Sequence, residues 1–129
     1  MTDGLTARQT QILKALIEEY IETAQPVGSE ALDKKYNLGF SPATIRNEMV
    51  ALTKTGYLRQ PHTSAGRVPS PAAMKFYIDQ LMEELKTARD QGDSLAEEIL
   101  NVVNSEIVEE AQAAHEEERL LDDGRERHR

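Results

Sequence analysis

Residues 40–70, FSPATIRNEMVALTKTGYLRQPHTSAGRVPS, decide how this chain folds. Ser41 is a good helix N-cap, and Pro42 at the first helical position gives up no hydrogen bond that the helix needs. Ile45, Met49 and Leu52 follow at i, i+4 and i+7, which makes one apolar side. The opposite side carries Ala43, Asn47, Val50 and Lys54, with Arg46 at its edge. Gly56 should end the helix. Tyr57-Leu58-Arg59-Gln60 then reads as a short strand, Pro61 to Gly66 as a small polar loop, and Arg67-Val68-Pro69 as the returning strand. An outer helix face that is small, amide, aliphatic and basic suits a major groove: Asn pairs bidentately with adenine, Arg with guanine, and Val meets a thymine methyl. The same spacing also fits an ordinary amphipathic helix.

Upstream, Thr6 can cap a helix, with Gln9 as its capping-box partner. Ile12, Leu13, Leu16, Ile17, Tyr20 and Ile21 recur as one buried face. That helix should end near Thr23–Gln25, because Pro26 disfavours helix in the residue before it. Ser29 is expected to cap a second, short helix to about Tyr36, with Ala31 and Leu32 inward and Asn37 and Gly39 as stop and turn. Three helices followed by a basic hairpin give the order of a winged helix-turn-helix, in which the second and third helices form the turn unit. His62 and Arg67 would then sit on the wing near a minor groove or phosphates, and Thr63 and Ser64 could donate to phosphate oxygens.

Composition narrows the class. The 129 residues include no cysteine, which excludes disulfides and cysteine-based zinc sites. No apolar run approaches the roughly 18 residues that span a bilayer, and the first residues lack the basic start and apolar core of a signal peptide. A soluble, cytoplasmic protein is the expectation. The net charge of −8 is unevenly spread: residues 1–86 are neutral and residues 87–129 hold all of it. Between Lys34 and Pro69, six basic residues face Glu48 alone. Such a patch suits a polyanion, and it also suits a solvated surface. His62, His115 and His128 have no ligand spacing, and no phosphate loop or nucleophile motif occurs. Neither enzyme activity nor a metal or cofactor is expected.

After the hairpin, Ser70 and Pro71 should open a fourth helix with a stripe of Met74, Tyr77, Ile78, Leu81 and Leu85. That stripe either packs on the preceding domain or forms a dimer seam. Gly92-Asp93-Ser94 looks like a break and a new cap. Leu95, Ile99, Val102, Val103 and Ile107 then form a stripe that fades into Ala111, Ala113 and Ala114. AHEEERLLDDGRERHR is highly charged and expected to fray. The fold class is therefore mostly α, a winged helix-turn-helix of three helices and a short β-hairpin followed by a C-terminal helical extension. The expected divisions are residues 1–70, a DNA-binding domain; 71–110, a helical extension serving dimerisation; and 111–129, a flexible charged tail.

The stretch from Leu5 to Ser70 resembles the N-terminal domain of HrcA, the family of heat-inducible transcription repressors. QPVGS, SPATIRNEM and QPHTSAGRVP carry the resemblance, and FYIDQLM, Phe76 to Met82, extends it, so that it covers about residues 5–82. The resemblance implies a repressor that binds an inverted-repeat operator before chaperone operons, acts as a homodimer and is made active by the chaperonin. It implies no enzyme activity and no metal. It assigns the DNA-reading helix to Ser41–Lys54 and the wing to Gln60–Pro69. The expected DNA contacts are Ser41, Ala43, Thr44, Arg46, Asn47, Val50 and Lys54 on the helix and His62, Thr63, Ser64 and Arg67 on the wing. Family members of usual length continue into a large regulatory and dimerising region that the last third here does not resemble. The alternative is a winged-helix interaction module, or a truncated partner of a longer repressor, without DNA binding of its own.

Overall fold

The computed structural model describes residues 4–127 and the side chains of residues 4–121, so His128 and the end of the charged tail lie outside the described residues. The elements are α1 (Ala7–Thr23), α2 (Ser29–Lys35), α3 (Pro42–Lys54), β1 (Leu58–Arg59), β2 (Val68–Pro69), α4 (Pro71–Asp90) and α5 (Ser94–Arg127). The chain divides into two compact units, Met1–Gln80 and Leu81–Arg129.

In the first unit, α1 starts with the capping box its sequence announces: the Gln9 N–H donates to Thr6 Oγ1 at 3.0 Å and the Thr6 N–H to Gln9 Oε1 at 3.1 Å. Ile12, Leu13, Leu16 and Ile17 are fully buried. Ile21, expected on that face, is 57% exposed. It lies about 140° around the helix from the centre of the buried face. Glu19, nearer that centre, is buried instead, with one carboxylate oxygen 2.8 Å from Lys35 Nζ and the other without a hydrogen bond among the described residues.

Ser29 does not cap α2. Gly28 does, because its carbonyl already accepts from the Leu32 N–H and its backbone is extended; no side chain caps this end. Ser29 is the first helical residue. In α3, Ser41 Oγ accepts from the Thr44 N–H at 3.1 Å with Pro42 just inside, as the sequence predicts, and Ile45, Met49 and Leu52 are buried. Gly56, at φ +88°, closes α3 with a Schellman motif: its N–H bonds to Thr53 O and the Tyr57 N–H to Leu52 O. This reversal feeds the chain directly into β1.

The wing pairs Leu58 with Pro69 and Arg59 with Val68, antiparallel. It has a third partner. Val27 and Arg67 exchange two backbone hydrogen bonds of 2.8 Å, so the wing is stitched to the loop between α1 and α2. Gly66 allows the approach, since a Cβ there would lie 2.9 Å from both the carbonyl carbon and the Cβ of Pro26.

Ser70 opens α4: its Oγ accepts from the Ala73 N–H and donates to Gly56 O at 2.6 Å. The buried line of α4 runs through Ala73 and Phe76, the latter edge-on to Tyr57, rather than through the expected stripe. Met74 and Tyr77 of that stripe pack half-buried at the core's edge, while Ile78 and Leu81 are exposed. In the second unit, Asp93 Oδ1 accepts from the Leu95 and Ala96 N–H groups and so caps α5. Ala96 and Leu100 are buried one turn apart. The segment from residue 111, expected to fray, is helical through Arg127. Its Ala, Glu, Gln and Arg are strong helix formers, and Arg119 pairs with Glu116 one turn back at 2.9 Å. Among the described residues no helix is long and apolar enough to cross a membrane.

Candidate nucleic-acid interface

Burial of Ile45, Met49 and Leu52 fixes the rotation of α3 and so decides what it shows to solvent. Ala43, Arg46, Asn47, Val50 and Lys54 are all exposed, on a helix whose N-terminus is anchored by its cap. Ser41 and Thr44 are less available. The Ser41 hydroxyl donates to Thr44 Oγ1 at 2.9 Å while accepting the Thr44 N–H, so its proton is committed to the cap. No carboxylate pairs with Arg46 among the described residues. The acidic residue of α3, Glu48, turns away and meets Arg8 at 3.6 Å; Arg8 also lies 5.9 Å from the Phe40 ring centroid. The exposed face is thereby free of negative charge from its own helix.

His62 and Thr63 stand exposed at the wing tip, and Ser64 is half-buried. Ser64 Oγ accepts from the Gly66 N–H at 3.0 Å, which tightens the turn and leaves the hydroxyl proton free to donate. Arg67 departs most from the sequence reading. Its Nε donates to Thr53 Oγ1 at 3.1 Å and its Nη1 to Ala65 O at 2.7 Å. Thr53 in turn donates to Met49 O at 2.7 Å, so the guanidinium ties the wing to the last turn of α3. Three of its five N–H donors are on Nε and Nη1; those on Nη2 remain.

Between α3, the wing and the 26–30 corner lies an open recess of about 550 Å³. Arg46, Met49 and Val50 line it from α3, Gln60 and Ser64–Arg67 from the wing, and Pro26, Gly28, Ser29 and Glu30 from the corner. The structure thus brings Arg46, Val50, Ser64 and Arg67 to one hollow. Ala43, Asn47 and Lys54 belong to the exposed side of α3, and His62 and Thr63 to the wing tip. Ser29, read from sequence only as a helix cap, and Gln60, read only as a strand and wing residue, share the hollow. No local periodicity points to them; the signal is the Val27–Arg67 pairing, a contact between residues forty apart.

Residues 4–80 match the profile of a family described as a winged helix-turn-helix transcription repressor, HrcA DNA-binding. Among curated relatives, the heat-inducible transcription repressor HrcA of Carboxydothermus hydrogenoformans is 49% identical over 98 residues, 76% of this chain and 29% of that protein. HrcA of Desulforudis audaxviator is 53% identical over 88 residues, 68% of this chain and 26% of the relative. HrcA of Symbiobacterium thermophilum is 58% identical over 77 residues, 60% and 23% of the two chains. A crystal structure of a hypothetical protein superposes with a TM-score of 0.57 at 43% identity, covering 64% of this chain and 25% of its own. This chain therefore spans under a third of the length of these curated relatives.

Proposed function

Because the chain belongs to the HrcA DNA-binding family of winged helix-turn-helix transcription repressors, we propose that it is itself a sequence-specific DNA-binding repressor of heat-shock genes. The observation that carries this reading is the outward side of α3: Ala43, Arg46, Asn47 and Val50 exposed on a capped helix whose carboxylate turns away. Placed in a major groove, Asn47 and Arg46 read bases, Val50 meets a thymine methyl, and Lys54 meets the backbone. Ala43 permits close approach. Ser41 holds the helix end, and Thr44, whose hydroxyl proton is uncommitted, presents it to phosphate. On the wing, His62, Thr63 and Ser64 face the backbone beside the groove. Arg67 fixes the wing's angle with two of its nitrogens and offers Nη2 outward.

An inverted-repeat operator calls for a two-fold protein. The exposed residues Ile78 and Leu81 of α4 and Leu95, Ile99 and Val102 of α5 supply apolar surface for a homodimer. A chaperonin partner follows from the family resemblance alone. Family membership points to DNA and not to an enzymatic substrate.

The test is a pair of titrations: an inverted-repeat duplex selected by the protein from a random pool, and a scrambled duplex of the same composition. Asn47→Ala should cost about 1–3 kcal/mol on the selected duplex and much less on the scrambled one. Equal losses on both would show that α3 does not read bases, and would favour the winged domain as a protein-interaction module.

A further inference from the structure

We propose that the recess between α3, the wing and the Pro26–Glu30 corner is a cradle for the sugar-phosphate backbone of one DNA strand, with Ser29 and Gln60 as phosphate contacts and Glu30 as a built-in repulsive element. The proposal rests on the DNA-binding reading above. An α-helix with its side chains is about 10–12 Å across, and a major groove is about 12 Å wide, so α3 in the groove fills it from wall to wall. The walls are the phosphate strands. The wing and the 26–30 corner stand beside α3, joined to each other through the Val27–Arg67 hydrogen bonds. A strand bounding the groove must therefore run through the space that separates them from α3, and the 550 Å³ recess is that space.

Its lining matches a phosphodiester. Arg46 brings a guanidinium with no carboxylate partner among the described residues from one side, and Arg67 a guanidinium whose Nη2 has no partner among them from the other. Ser64 donates its hydroxyl proton while its oxygen accepts from Gly66. Ser29 and Gln60 add a hydroxyl and an amide, the neutral donors that position a protein on a duplex without reading sequence. Met49, Val50 and Pro26 give an apolar floor against which deoxyribose can lie. Glu30 is the single carboxylate in this lining. It weakens the hold on any duplex, which lets base contacts on α3 account for a larger share of the affinity.

The test uses the full chain and a fluorescein-labelled random-sequence duplex of 30 base pairs, titrated across a KCl series, with the selected inverted repeat in parallel. Thermal melts establish that each variant is folded. Ser29→Ala and Gln60→Ala should weaken both duplexes alike, 2- to 5-fold, and leave the salt slope unchanged, because neither removes a charge. Arg46→Ala, which removes both a lining charge and a side chain of the α3 outer face, should flatten the slope on both duplexes by about 0.9, the value for one released counterion, and weaken the selected duplex more than the random one. Glu30→Gln should tighten both duplexes 2- to 5-fold. A folded Glu30→Gln, Ser29→Ala and Gln60→Ala set that leaves affinity for both duplexes untouched would overturn the cradle, while the parent's discrimination between duplexes would keep the DNA-binding reading intact. Failure of the parent to bind either duplex at low salt would overturn that reading and the cradle with it.

Discussion

At the scale of single residues, two positions in the wing have structural duties that their side chains do not advertise. Gly66 is buried where the wing meets Pro26, and its Cα hydrogen is all the space permits. Gly66→Ala should push the wing off the corner and cost about 1–3 kcal/mol, the usual range for overpacking. A urea melt followed by circular dichroism would show a lower midpoint with an unchanged slope; an unchanged midpoint would mean the wing yields freely. Arg67 was expected from sequence to open the returning strand and sit on the wing near a minor groove or phosphates. Its bonds to Thr53 and Ala65 add a structural duty: Arg67→Ala should destabilise the winged domain by about 1–3 kcal/mol as well as weaken DNA binding, in line with the loss of hydrogen bonds from a charged donor. Thr53→Val removes only the Nε partner and should do part of the same. If Arg67→Ala melts like the parent, the guanidinium is not a brace.

At the scale of elements, α1 and α3 were legible because cap and periodicity agree in each: Thr6 with Gln9, Ser41 with Pro42, and apolar faces that turned out buried except for Ile21 near the end of α1. What local patterns do not encode stayed hidden. The Val27–Arg67 bridge is one residue long on each side and has no period. The buried line of α4, Ala73 and Phe76, was missed because α4 also carries a second apolar line that is longer in sequence and more exposed in the structure. Helix α5 outran its expected end because charge density was read as disorder, although its residues favour helix. The contact of α1 with α2 was equally unreadable, being a buried glutamate held by a lysine from the next helix. The hydrogen bond to Glu19 holds the Lys35 ammonium above the ordinary lysine range, and burial, then the Glu19, Glu18 and Glu22 carboxylates, push the Tyr36 phenol up as well. Both groups bind their proton more tightly when folded. Their contribution is fully present below the ordinary values of 10.5 and 10.0 and is lost as pH climbs through the raised ones. Stability should thus fall above about pH 10. Lys35→Met should destabilise the protein at pH 7.5 by leaving Glu19 buried without its cation, and should lessen the further loss between pH 9.5 and 11.5. Melting temperatures across that range decide it: parallel curves for the two proteins would detach Lys35 from the alkaline loss.

At the scale of the whole molecule, charge and apolar surface divide between the two units. Met1–Gln80 has a net charge of +1 and Leu81–Arg129 a net charge of −9. The second unit also holds most of the exposed large apolar residues, Leu95, Ile99, Val102, Ile107 and Val108 among them. These two properties have opposite consequences for DNA. Acidic side chains tethered to the winged domain repel phosphate at low salt, within a Debye length of about 10 Å at 0.1 M. A dimer formed through the apolar side chains would join two half-site contacts and raise affinity for an inverted repeat well above that of one winged domain. Ending the chain at Asp90, after α4, separates them. The shortened protein should keep a cooperative melt, since the core around Ile12, Leu16, Ile45 and Leu52 lies wholly in the first unit. It should sediment as a monomer where the full chain sediments as a dimer at high micromolar concentration. Its affinity for a random duplex in 20 mM salt should rise, and its affinity for the inverted repeat in 150 mM salt, where screening mutes the carboxylates, should fall. Loss of affinity for both duplexes by a folded shortened chain would assign α5 a direct part in holding DNA, and gain on both would leave the apolar surface of α5 with no role in pairing two copies.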